Sequence, residues 1–338
     1  METQYSDEIF RSCSDIDHII RDFEDDSYLA RVSLEYAVSN SNTKLLEYLI
    51  DKLSNSDDVI SQEWATIYQI DNLVCKHEMS LIESIDKLTH LQCQSAEMSV
   101  LRKIFQLYNY HDLKAFQMIE ILSELINAEI KMLNDGYMKD SLQSRLDLAM
   151  QSVHIHLNQL EKSRMYGENL REKAPTPIMK AIAYKNLGLS YLFENYDKSI
   201  KNLELSVDLL NETDNVNEQK NIKRSLNFLH IYWNKLDKVE WSNIQLIDDI
   251  LIYAYCLIKK GDKESASKLL EENKGKLDSD FQLGYHYYYS GLAKNDEKEF
   301  YKAVEYFSKS GDQFVRQLPL LALKDLGVDT SLLSALSV

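Results

Sequence analysis

Residues 181–207, AIAYKNLGLSYLFENYDKSIKNLELSV, decide the fold. Leu187, Gly188 and Tyr191 mark one helix, and a second starts after Asn195-Tyr196-Asp197. Residues 251–273, LIYAYCLIKKGDKESASKLLEEN, place Ala254 where Gly188 stands and Ala266 one helix later. Residues 284–310, GYHYYYSGLAKNDEKEFYKAVEYFSKS, place Gly291 there, then Ala303 and Phe307. Small residues about twelve apart on facing helices let two antiparallel helices approach closely. This is the tetratricopeptide pattern of about 34 residues per helix pair, imperfectly kept. A generic helical bundle is the competing reading, and three matches at like offsets favour the repeat.

The rest of the chain agrees. Its 338 residues include only 9 Gly and 3 Pro. Usual usage would give roughly 24 and 17. So few breakers exclude a sandwich, a barrel or a Rossmann fold, which need turns and Gly-rich loops. Helical stripes run over 29–38, 43–53, 63–75, 81–91, 97–107 and 113–133. Leu142, Leu146, Ala149, Met150, Val153, Leu157 and Leu160 predict one continuous helical face over 142–160. The breaks are short and rich in Asn and Asp, which cap helices and tolerate turns. KAPTP at 173–177 is the clearest punctuation. The expected organisation is an N-terminal helical-repeat half (1–175), a C-terminal tetratricopeptide-like peptide-binding half (176–328) and a capping or dimerisation helix (329–338). In that last helix, capped by Asp329 or Thr330, Leu332, Leu333 and Leu336 form an apolar face that seals the last repeat or pairs with a second copy.

The formal charge of −16 opposes polyphosphate binding over the whole surface. No run of 18 apolar residues predicts a transmembrane helix, and METQYSDEIF lacks the character of a signal peptide. Cys13, Cys75, Cys93 and Cys256 lie far apart with no CxxC, and read as reduced thiols of a cytoplasmic protein. No phosphate-binding loop, nucleophile elbow, zinc helix or calcium loop is present. His154 and His156 point about 200° apart on a helix, which does not suit a shared metal. The Asp248-Asp249 pair reads as a solvated face or a peptide contact. Neither an enzyme nor a metal or cofactor site is expected.

Polar and aromatic residues instead form stripes at steps of three and four. They run through Lys180, Tyr184, Gly188, Tyr191 and Asn195; through Lys220, Arg224, Asn227, Ile231 and Asn234; through Gln245, Asp249 and Tyr253; and through Asp278, Gln282, Tyr285 and Tyr289. Asn158 is a further candidate. Amide side chains offer donors and acceptors to an extended peptide. Lys180 or Arg224 suits a peptide carboxylate, and tyrosines give flat apolar contact with a polar tip. Packing between helices and exposure to solvent are the plainer explanations for any one of these residues.

Four segments, 33–53, 183–199, 224–233 and 283–314, resemble the AimR family, the arbitrium receptors of Bacillus phages within the wider Rap, NprR and PlcR group of peptide sensors. The resemblance runs from about residue 28 to the end. It implies a right-handed superhelical repeat solenoid that binds a short secreted peptide in its concave groove. It also implies a homodimer made partly through the C-terminal helix, and a DNA-binding regulator of lysogeny silenced by its peptide in the host cytoplasm. The family's acidic and aromatic peptide contacts fall on Asp312 and Phe314 in SGDQF. Family members begin with a helix-turn-helix domain. Here residues 1–35 hold three Arg against ten Asp and Glu, a poor reader of DNA. DNA is therefore a partner by resemblance only. The alternative is a helical-repeat interaction regulator that acts on a full-length receptor or a host protein.

Overall fold

The computed structural model describes residues 9–10, 16–211, 213, 215–241, 244 and 246–336. Among these residues the regular structure is helical, with no strand. The order is α1 (Asp17–Asp22), α2 (Tyr28–Ser39), α3 (Thr43–Ser54), α4 (Val59–Cys75), α5 (Leu81–His90), α6 (Ala96–Asp112), α7 (Phe116–Met132), α8 (Tyr137–His156) and α9 (Leu160–Lys173). It continues with α10 (Pro177–Ser190), α11 (Tyr196–Asn211), α12 (Val216–Tyr232), α13 (Ile247–Lys259), α14 (Lys263–Asn273), α15 (Asp280–Lys294), α16 (Glu297–Lys309), α17 (Gln313–Asp325) and α18 (Thr330–Leu336). From α1 to α7 and from α12 to α18 each helix packs on its chain neighbour, and α2 packs on α4, α4 on α6, α13 on α15 and α15 on α17. Contact with the next helix and the next but one is what stacked helix pairs produce. Two compact units are present: 1–153 with 164–184 and 208–215, and 154–163 with 185–207 and 216–338.

The small residues do what their spacing predicts. A Cβ on Gly188 would lie 2.7 Å from Leu203 and 3.1 Å from the Ser199 carbonyl. One on Gly291 would lie 2.7 Å from the Phe300 ring. Ala254, Ala266 and Ala303 are fully buried. Four of the reversals follow one chemistry. Gly261 and Gly311 take φ of 90° and 70°, and Asp262 and Asp312 follow immediately as N-caps, accepting the N–H of Ser265 and Val315 at 3.1 Å. Ser41-Asn42 and Asn295-Asp296 repeat the arrangement without glycine. Asp329 likewise accepts the Ser331 N–H ahead of α18.

The 142–160 stripe is not one helix. It stops at His156, and Asn158 turns left-handed at φ 55°. Its N–H reaches the Ile155 carbonyl at 2.8 Å, and that of Gln159 reaches His154 at 2.7 Å. Leu157 and Leu160 kept the apolar spacing across the break, so periodicity alone hid it. Pro177 opens α10 behind Thr176, whose Oγ1 accepts the Met179 N–H at 3.3 Å. Cys75, Cys93 and Cys256 are free thiols, and Cys13 lies outside the described residues.

The first unit encloses a polar cluster. Glu35 on α2 is fully buried. Its carboxylate accepts from Arg145 Nε at 2.7 Å, Ser39 Oγ at 2.8 Å and Tyr68 Oη at 2.7 Å. Burial alone would raise its pKa, but the Arg145 charge and the hydrogen bonds from Arg145, Ser141 and Tyr68 hold it below the usual range. Burial lifts nearby Asp71 to about 6, with Arg145 opposing and Glu35 adding.

Two outcomes test this account. Gly291→Ala should destabilise the chain by roughly 1–3 kcal/mol despite alanine's higher helix propensity, because the methyl meets Phe300; urea midpoints read it. Between about pH 4 and 6 the folded chain holds a proton on Asp71 that the unfolded chain has lost, so Asp71 makes stability fall as pH rises through that window. Asp71→Asn should remove that contribution and raise stability at pH 7 by about 1–3 kcal/mol, read from denaturation at about pH 4.5 and 7.

Candidate functional site: a cavity in the second unit

The second unit holds a half-open cavity of about 320 Å³. Each wall follows from helical spacing. Asn221, Arg224, Ser225 and Phe228 share one face of α12; Asp248, Leu251 and Ile252 come from α13; Phe281, Tyr285 and Tyr289 recur every four residues along α15. Leu189, Leu192 and Phe193 line it from the end of α10 and the turn after it. Ile155 and His156 end α8, and Asp312, Phe314 and Val315 begin α17. The aromatic rings touch: Phe193 lies 4.7 Å from Phe314, and Tyr285 lies 6.0 Å from Phe228 and 5.5 Å from Tyr289.

Arg224, Asp248, Asp312 and His156 interrupt this apolar lining. Arg224 Nε donates to Asp249 Oδ1 at 2.7 Å and Nη1 to Asn221 Oδ1 at 3.0 Å. Its Nη2 has no protein partner among the described residues. Asp248 Oδ1 accepts from Gln282 Nε2 at 3.0 Å. Asp312 is divided in function. Oδ1 caps α17, while Oδ2 accepts from His156 Nδ1 at 2.7 Å; a carboxylate only accepts, so this nitrogen carries the proton. Burial pushes the Tyr285 hydroxyl well above its ordinary pKa, and the Asp312 charge adds to it. The site therefore combines apolar aromatic walls, two carboxylates and a guanidinium with one open nitrogen.

Of the residues expected from sequence, Arg224, Asp248, Tyr285, Tyr289, Asp312 and Phe314 line this cavity. Asp249 and Gln282 support it from behind, through Arg224 and Asp248. The others lie elsewhere. Asn227 is buried and exchanges two hydrogen bonds with the Glu240 backbone, at 2.7 and 3.1 Å. Asn195 caps α11 through the Lys198 N–H, and Asn158 is a turn residue. Tyr253 packs against Trp241 at 5.2 Å, and Tyr191 lies under Lys198. Lys180 and Tyr184 are half-buried in the first unit. Gln245 lies outside the described residues. Leu332, Leu333 and Leu336 all sit on α18, which buries no residue.

On α12 the cavity lining and the expected stripe share Arg224 and otherwise differ in phase by one position. The lining face is 221, 224, 225 and 228, whereas Ile231 on the expected stripe is fully buried. His156 entered the sequence reading only as a poor metal ligand. The four-residue spacing of Phe281, Tyr285 and Tyr289 was the signal available for the aromatic wall.

This is an all-α protein of stacked helix pairs with a ligand-sized cavity. A family model described as AimR transcriptional regulator-like matches residues 17–325, and the chain belongs to that family. It is 29% identical over 309 residues to the AimR transcriptional regulator of Bacillus phage phi3T, covering 91% of this chain and 80% of the relative. It is 28% identical over 312 residues to that of Bacillus phage SPbeta, covering 91% and 79%. Among solved structures, ligand-bound phAimR aligns with a TM-score of 0.82 at 28% identity, over 92% of each chain. Selenomethionine phAimR aligns at 0.79 and 28% identity, over 96% of this chain and 83% of that one. The fold is thus a helical-repeat fold of the AimR kind.

Asp312 is the residue on which cap and cavity meet. Asp312→Ala should cost roughly 1.5–3 kcal/mol in urea unfolding, combining a lost N-cap with a lost partner for His156. Asp312→Asn, which retains the capping oxygen, should cost less than half as much.

Proposed function

We propose that the chain is an intracellular receptor for a short secreted communication peptide, and that peptide bound in this cavity switches a transcription-regulating activity that governs phage lysis and lysogeny. Residues 176–328 form the peptide-binding half in this reading. The observation that carries it is Arg224 Nη2, open beside an apolar aromatic cavity that also holds Asp248 and Asp312. The guanidinium takes the peptide's C-terminal carboxylate. Asp312 and Asp248 take a cationic side chain or the amino terminus, while Phe314 and Tyr285 pack against its apolar stems. Membership in a family of transcriptional regulators and the likeness to ligand-bound phAimR support the reading.

The activity is binding rather than catalysis, and it needs no cofactor. No described helix is long and apolar enough to cross a membrane, and the proposed place of action is the host cytoplasm. Leu332, Leu333 and Leu336 on α18 pair two copies into a homodimer, Leu332 being nearly half exposed in the single chain. DNA is the downstream partner by family relationship.

Thermal unfolding against a panel of synthetic hexapeptides tests this. One peptide with a free carboxylate should stabilise the chain by about 2.7 kcal/mol at a hundredfold excess over its Kd. Its C-terminal amide and the Arg224→Ala variant should each lose most of that gain, while Lys180→Ala should keep it. Equal stabilisation by acid and amide would remove Arg224 as the anchor, and flat curves for a genome-derived hexapeptide panel would overturn the reading.

A further inference from the structure

Most second helices of the pairs turn largely charged and polar faces outward, although α3, α5, α9 and α11 each expose one large side chain, Tyr48, Ile82, Met165 and Leu205. On α16 the exposed positions are Glu297, Lys298, Lys302, Glu305, Ser308 and Lys309; α14 and α11 are similar. Helix α7 breaks this rule. Met118, Ile121, Leu125 and Met132 are 48%, 70%, 48% and 86% exposed, and exposed Ala128 completes the line. Steps of three, four, three and four are the seam of a coiled coil, two heptads long. Four large apolar side chains on one face are a patch of the kind that marks an interface.

The charges beside the seam select the occupant. Glu124 and Lys131 flank it at equivalent heptad positions, and neither has an ion-pair partner among the described residues. Glu129 flanks the other side and is already bound to Lys103 at 2.6 Å. A parallel pairing of two copies would set Glu124 toward Glu129 of the second copy, like against like. An antiparallel two-fold pairing sets Leu125 on Ala128 and Ile121 on Met132, and brings Glu124 of each copy toward Lys131 of the other. Charges at such flanking positions set partner and orientation. We propose that α7 is a self-association surface, at which two copies of this chain pair through antiparallel α7 helices. The surface lies in the first unit, on a helix other than α18.

A seam of two heptads gives association in the micromolar range or weaker, so it is read by sedimentation velocity over a concentration series. The full chain carrying Leu332→Glu and Leu333→Glu serves as background, which removes any contribution from α18. Its mass should rise with concentration. Ile121→Glu with Leu125→Glu should abolish the rise without lowering Tm, because both side chains are exposed. Lys131→Glu should weaken association about tenfold by placing Glu against Glu. Adding Glu124→Lys should restore it, which a merely structural role for either residue would not do. A background chain that is monomeric throughout, or a Lys131→Glu effect that Glu124→Lys leaves unrepaired, would overturn the proposal.

Discussion

A chain that stacks antiparallel helix pairs must reverse direction within a few residues, and the tightest hairpins here use two or three. That constraint organises both halves of this protein. The reversal needs one left-handed residue to end a helix and an acceptor to cap the next. Ser41-Asn42, Gly261-Asp262, Asn295-Asp296 and Gly311-Asp312 all solve it the same way. The shortness of these turns holds neighbouring helices in register, so a small residue such as Gly291 opposes a large one, Phe300. At Asp312 the solution reaches into function, because the cap that starts α17 leaves its second oxygen in the cavity with His156.

The two units meet the cost of buried polarity differently. In the first, Glu35 is fully enclosed and satisfied by Arg145, Ser39, Ser141 and Tyr68. Such a network adds little net stability over an apolar core but is expensive to disrupt. In the second, charged groups border a cavity and keep capacity in reserve: Arg224 leaves Nη2 open, and Asp248 is held by a neutral amide. Both units leave a guanidinium nitrogen without a partner among the described residues, Arg145 Nη2 in the first and Arg224 Nη2 in the second, and the second of these borders the cavity.

Helix existence was legible in the sequence wherever apolar periodicity and Asn or Asp breaks agreed, as over 43–54 and 81–90. It misled at 142–160, because Leu157 and Leu160 hold the apolar spacing through a left-handed turn at Asn158. The cavity was half legible. Arg224 and Tyr285 lie on the expected stripes, while Asp312 and Phe314 followed from family resemblance. Phe193, Phe228 and His156 were missed. A stripe records that a helix has a polar or aromatic face, but a phase error of one residue, about 100° on the helix, exchanges Asn227 for Phe228.

Sequence by itself determined that this protein is all-α and built from helix pairs, because few breakers, helical apolar spacing and small residues twelve apart are local facts. It also determined family membership. Tertiary structure decided which polar residues face one another. Arg224 and Asp249 are 25 positions apart, Glu35 and Arg145 are 110, and His156 and Asp312 are 156. No local pattern encodes such pairings, since they depend on how successive helix pairs stack and on the exact phase of each helix about its axis.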